Sequence, residues 1–258
     1  MPTAVFVFPS AAGHINPSLP VCQKLVALRW NVEYLAIEIF KPAVVATGAT
    51  FHYRNAVCAE NGIEDVTAMV YKTPEDYGTE GSKMRGLNFG SISAERLLPV
   101  YINFLRRMSP QLVVYCPVLC QVAHFAAMTL KIPDVSILTA AGPGFWDAAF
   151  AGHGSSAADF ILTIKANEPN NKAIEGLHIL MGMPELTLNT ATPLVNEYYT
   201  GANIVTTVPF LADTLNERDA QFYEAAGKKF EFVGPLLGSH QATVATGLRG
   251  TEAEDLFK

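Results

Sequence analysis

The run Pro9-Ser10-Ala11-Ala12-Gly13-His14-Ile15-Asn16-Pro17 places one titratable side chain among small residues, directly after the apolar stretch Ala4-Val5-Phe6-Val7-Phe8. Imidazole is the side chain whose ordinary pKa lies nearest neutrality, so a histidine held in a cleft can act as a general base. Small residues at 10–13 let the backbone turn tightly and leave room above it. Gly13 puts no side chain beside His14. A helix N-terminus just beyond would favour neutral imidazole, the form a base needs. The plainer reading of His14 is a loop or capping histidine. Cys116, Cys120 and His124 recur at intervals of four; they either share a helix face that could hold a metal or are buried free thiols beside an ordinary helix residue. Cysteine is most often buried and inert, so no metal is expected. Phe145 and Trp146, after Gly142-Pro143-Gly144, either line a pocket or anchor a loop. Met84, with Leu87 and Phe89, either covers an apolar ligand or closes the core.

The elements that must position these residues follow one repeating pattern: a short β-rich run, a loop, then helical spacing. That pattern predicts an α/β fold with a doubly wound, Rossmann-like and mostly parallel sheet of about seven strands. Strands are expected at Ala4–Phe8, Asn31–Ala36, Thr50–Tyr53, Gln111–Tyr115, Val135–Leu138, Asn203–Val208 and Phe230–Val233. Helices are expected from the His14 loop to about Leu28, with Asn16 or Ser18 as cap, and over Phe40–Thr47, Ala94–Met108, Val118–Leu130 and Asn216–Ala226. Pro99 falls near the start of the third of these. Residues 54–90 and 139–156 read as Gly-rich loops, the first around one or two short helices. Residues 1–237 fill one such domain, and 238–258 read as a linker. In an open parallel sheet, ligands bind beyond the carboxyl ends of the strands, which is where the His14 loop lies.

Composition narrows the function classes. Half of the 258 residues are apolar, 16% are charged, and the formal net charge is −6. No Lys/Arg run offers the basic footprint of a nucleic-acid groove. No apolar run approaches the ~20 residues of a membrane span, and the first residues lack the basic region of a secretory signal. A cytoplasmic chain with four free thiols is expected. Walker, GxGxxG, GxSxG and HExxH sequences are all lacking, which argues against nucleotide-fingerprint, serine-hydrolase and zinc-protease chemistry.

The Gly13-His14-Ile15-Asn16-Pro17 loop between first strand and first helix resembles the opening of the family 1 UDP-glycosyltransferases, enzymes of GT-B fold. Gly48-Ala49-Thr50-Phe51-His52-Tyr53, Pro110-Gln111-Leu112-Val113-Val114-Tyr115, Leu130-Lys131-Ile132-Pro133 and Phe232-Val233-Gly234-Pro235 are similar to later segments of that family's N-terminal half. Thr251 to Lys258 looks like the lead into its second domain. The resemblance implies one half of a GT-B architecture: an acceptor-binding domain that binds no cofactor itself, with UDP-sugar taken up by a donor-binding domain or subunit beyond it. His14 would be the catalytic base towards a hydroxyl of a small, lipophilic acceptor. Gly13, Ile15, Asn16, Met84, Phe145 and Trp146 would contribute to substrate binding. Many members hold the histidine with an Asp after the fourth strand; Cys116 stands in that place here. Asp134 sits at the wrong end of its strand to replace it, and Asp147 is an open possibility. The chain alone is expected to be inactive, and a non-catalytic small-molecule-binding module, or a subunit pairing with a separate donor-binding chain, is the alternative.

Overall fold

The computed structural model describes residues 1–64, 82–151, 165–182 and 197–236; for 82–89 and 150–151 it describes the backbone alone. Seven strands form one sheet: β1 (Thr3–Val7), β2 (Asn31–Ala36), β3 (Thr50–Tyr53), β4 (Leu112–Tyr115), β5 (Asp134–Leu138), β6 (Ala202–Val205) and β7 (Lys229–Phe232). Their order is β3-β2-β1-β4-β5-β6-β7, and every neighbouring pair is parallel. The chain winds outwards from β1 in one direction, then returns and winds the other way from β4. The switch point therefore lies between β1 and β4, where Val7 pairs with Tyr115. Both are almost fully buried, as are the other inner residues of these two strands, because helices cover both sheet faces.

The helices are α1 (Ala12–Ile15), α2 (Ser18–Ala27), α3 (Lys41–Ala46), α4 (Arg54–Ala59), α5 (Ser82–Met108), α6 (Gln121–Leu130), α7 (Phe145–Ala151), α8 (Glu168–Met181) and α9 (Glu217–Ala225). Four departures from the sequence expectation stand out. The first predicted helix is split into the single turn α1 and the longer α2. Ser18 opens α2 without capping it; its hydroxyl donates to the Ile15 carbonyl at 2.7 Å and meets the Tyr34 hydroxyl. Helix α5 begins twelve residues before the expected Ala94, so Pro99 lies inside it. Gly86, Gly90, Ser91 and Ser93 are weak helix formers, and burial of Ile92, Ala94, Leu98, Tyr101 and Leu105 against neighbouring elements outweighs that weakness. The 139–156 segment contains α7 where a loop was expected. Helix α6 starts at Gln121, three residues late, after the turn Pro117–Leu119.

Asn216 caps α9 by accepting from the Asp219 backbone N–H at 2.8 Å. The expected linker, 238–258, lies outside the described residues. Among the described residues no helix is long and apolar enough to cross a membrane.

Candidate functional site

Three strand ends meet at the switch point. His14 leaves β1 through the α1 turn, Cys116 is the first residue past β4, and Thr139 is the first past β5. The Cys116 backbone N–H donates to the Val7 carbonyl at 3.2 Å, lacing the ends of β1 and β4 together. The His14 Nδ1 atom lies 2.8 Å from Thr139 Oγ1 and 3.2 Å from Cys116 Sγ. Nε2 makes no hydrogen bond to a described residue.

The ring is half-buried, and burial holds its pKa below the usual histidine value of 6.5. The imidazole is therefore neutral at pH 7. The cause is desolvation, where the sequence reading had looked to a helix N-terminus. Cys116 is completely enclosed, and burial pushes its thiol up to about 11, so it faces His14 as a neutral S–H. Neither neighbour of Nδ1 carries charge.

Gly13 lies in the helical turn with ordinary dihedral angles, so its conformation does not demand glycine. What glycine provides is space: a Cβ there would meet nothing within 4 Å. Ile15, expected at a ligand, has its side chain in the core at 0% exposure and can offer only its backbone. Asn16 is half-buried in the turn between α1 and α2. Met84 falls on α5, and its side chain lies outside the described residues.

Phe145 and Trp146 open α7 and are half-buried, with rings edge to face at 5.1 Å. Two glycines fix their approach. Gly142 has φ +92°, open to glycine at little cost, and a Cβ on Gly144 would sit 2.4 Å from the Asp213 carbonyl oxygen. Trp146 packs edge-on against Tyr198 at 6.2 Å. Asp147, the open candidate for the missing carboxylate, is engaged elsewhere. It accepts from the Asn216 backbone N–H at 3.2 Å and from Asn216 Nδ2 at 2.7 Å. Burial, with Asp219 alongside, raises its pKa to about 6.

Cys116, Cys120 and His124 do not form a ligand set. His124 Nδ1 donates to Asp134, which also accepts from Thr200, and the imidazole stacks on Tyr115 with ring centres 5.5 Å apart. No three His, Cys, Asp or Glu side chains among the described residues gather as a metal cage. His52, for which no partner pattern was found in sequence, pairs across the strands with Glu33 at 2.6 Å. Thr139 was missed altogether. Its only sequence signal is position, directly after β5, the strand next to β4 at the switch point.

No family model matches the chain, and no curated protein matches it. Solved structures do. The glycosyltransferase of kitacinnamycin superposes with a TM-score of 0.60 at 20% identity, covering 93% of this chain and 54% of that one. CalG4, the calicheamicin glycosyltransferase, gives 0.60 at 19% identity, with 91% and 53% covered. The spinosyn forosaminyltransferase SpnP gives 0.50 at 14%, with 93% and 52% covered. At these identities the likeness establishes the fold: a Rossmann-like α/β sheet of the kind found in GT-B glycosyltransferases. The chain spans about half the length of the structures it matches.

Proposed function

We propose that this chain is the acceptor-binding half of an inverting, UDP-sugar-dependent glycosyltransferase, with His14 as general base. The carrying observation is the neutral imidazole at the switch point, with Nδ1 engaged by Thr139 and Cys116 and Nε2 left over for a ligand. In the proposed reaction Nε2 takes the proton of an acceptor hydroxyl. The oxygen attacks the sugar C1, the bond from C1 to the diphosphate oxygen breaks, and the electron pair leaves with the nucleoside diphosphate. A base so placed contributes on the order of 10²–10⁴ in rate. For Nε2 to accept, the proton of the neutral ring must sit on Nδ1, with Thr139 Oγ1 as its acceptor. Among the described residues, the imidazolium then formed has only neutral dipoles at Nδ1. In a protease triad the missing carboxylate costs on the order of 10⁴.

The donor is expected to bind outside this segment, so the isolated chain should bind acceptors without transferring sugar. NMR titration of the His14 ring with small aromatic alcohols, alongside a UDP-sugar turnover assay on residues 1–258, tests both halves of the reading. Turnover by the chain alone would overturn the division of labour, and a His14 ring insensitive to every alcohol would overturn the site. The absence of a carboxylate on Nδ1 among the described residues favours one second reading, a non-catalytic module that binds a small hydroxylated molecule. Co-purification with a donor-binding chain that restores transfer would exclude that alternative.

A further inference from the structure

Arg54 is the first residue past β3, and its side chain reaches across the end of β2 to the loop that follows β1. There its Nη2 donates to the Ser10 hydroxyl at 3.2 Å. The residue is half-buried, and its Nε–H is enclosed without an acceptor. Arg107 and Arg218 each meet a carboxylate, at 2.8 and 3.0 Å. Arg54 has no ion-pair partner among the described residues. The titratable groups its charge acts on include Cys58, Tyr101 and Cys120, and burial holds all three in their neutral forms at pH 7.

A guanidinium drawn part-way out of water favours a counter-charge, and its planar fork matches a carboxylate. Ser10 Oγ accepts from Arg54, which leaves the hydroxyl proton to donate to the same anion. The surface from this pair to His14 is open. Ser10 and Gly13 are exposed, and a Cβ on Gly13 would meet nothing within 4 Å. The four-residue step from Ser10 to His14 spans at most about 14 Å. The turn shortens it, since the His14 backbone N–H donates back to the Ala11 carbonyl at 3.0 Å. A two-ring molecule lies within that range.

Resting on the acceptor-site reading above, we propose that Arg54 and the Ser10 hydroxyl bind a carboxylate of the acceptor, remote from the hydroxyl presented to His14. The acceptor class is then an aromatic hydroxy acid. A sugar donor's diphosphate offers similar anionic chemistry, and the test separates the two sources.

The test uses the full chain and four probes: 2-naphthol, 6-hydroxy-2-naphthamide, 6-hydroxy-2-naphthoate and uridine diphosphate. Binding is read by NMR from the His14 ring and the Arg54 Nε–H. The naphthoate should bind about tenfold more tightly than the neutral amide, the worth of a hydrogen bond to a charged group. It alone of the three naphthyl probes should shift the Arg54 resonance strongly. Arg54→Gln should reduce the preference to within about twofold. In the wild type, raising salt from about 20 to about 500 mM should shrink it several-fold, a check that needs no variant. A preference that survives in Arg54→Gln, or that ignores salt, would overturn the proposal. Uridine diphosphate that shifts Arg54 and displaces the naphthoate would assign the guanidinium to the donor and overturn it too. Equal affinity for acid and amide, with the His14 ring still shifting, sinks this proposal and leaves the acceptor site standing. A His14 ring that no naphthyl probe moves removes the acceptor-site reading, and this inference with it.

Discussion

Replacing Cys116 with Asp puts a carboxylate where a buried thiol now stands 3.2 Å from His14 Nδ1. Two unit charges about 4 Å apart attract by about 4 kcal/mol at an effective dielectric near 20, equivalent to about three pKa units. Burying the carboxylate at an enclosed position offsets part of this, so a net rise of about one to two units is expected for His14. The wild-type ring titrates below 6.5, and the C116D ring should titrate above it. ¹H–¹⁵N NMR of the His14 side chain across pH 4–9 reads the value directly. Cys116→Ser, neutral and of similar size, is the control and should move it little. The stability profile must change sign with the pKa. In the wild type, the unfolded chain binds more protons between 6.5 and the lower folded value, so His14 destabilises the fold as pH falls through that window. In C116D the folded chain binds more, so the same ring adds stability as pH falls below its raised value. A C116D ring still titrating below 6.5 would show that residue 116 does not face Nδ1, and the geometry of the site would be wrong.

Thr139→Val removes the hydroxyl 2.8 Å from Nδ1; ring ¹⁵N shifts should move from the Nδ1–H tautomer towards a mixture, and an unchanged spectrum would remove Thr139 from the site. Asp147, with its folded pKa raised to about 6 from 3.8, stabilises the fold at low pH, and that contribution is lost as pH rises between those values. Asp147→Asn should therefore flatten the denaturation midpoint across pH 4–6 and raise it at pH 7, read by urea unfolding. Gly144→Ala drives a Cβ into the Asp213 and Thr214 carbonyls, at 2.4 and 2.7 Å, and should cost at least about 1–3 kcal/mol. Gly13→Ala, with open space and helical dihedrals, should be neutral or stabilising by up to about 1 kcal/mol; its effect should appear in ligand affinity, because it fills the space beside His14. Asn170 is fully buried with neither amide atom paired, so Asn170→Leu should hold or raise the melting temperature.

The strands were legible because their signals are local. Strands β2 and β3 fall on their predicted bounds, each closed by a turn or helix start the sequence announces, such as Gly48 with φ +88° ahead of β3. Strand β1 differs by one residue at each end. The first half of α5 was not legible, because Gly90, Ser91 and Ser93 are helical there through packing against α6 and α8, which no window of sequence contains. At the site, residue type pointed to His14, but the facing of its neighbours did not follow from type. Within one four-residue turn, Gly13 is exposed and Ile15 is in the core, and only the docking of that turn on the sheet decides which.

The sheet order explains why three chain segments far apart in sequence supply one ring with its surroundings. Residues that follow β1, β4 and β5 become neighbours, because β1 and β4 border the point where the winding reverses and β5 lies next to β4. The fold thus fixes where the groups stand and leaves their identity free to set the chemistry. With Thr139 and Cys116 at Nδ1, burial keeps the imidazole in its neutral form at pH 7, but it is a weakened proton acceptor. General-base efficiency depends on the match between base and acid. A phenol titrates near 10, whereas bulk water at about 15.7 marks the scale for aliphatic hydroxyls. A base lacking its carboxylate can draw the proton from a phenol far more readily than from an alcohol. Under the proposed role, the neutral pair at Nδ1 therefore restricts the site to acidic hydroxyls.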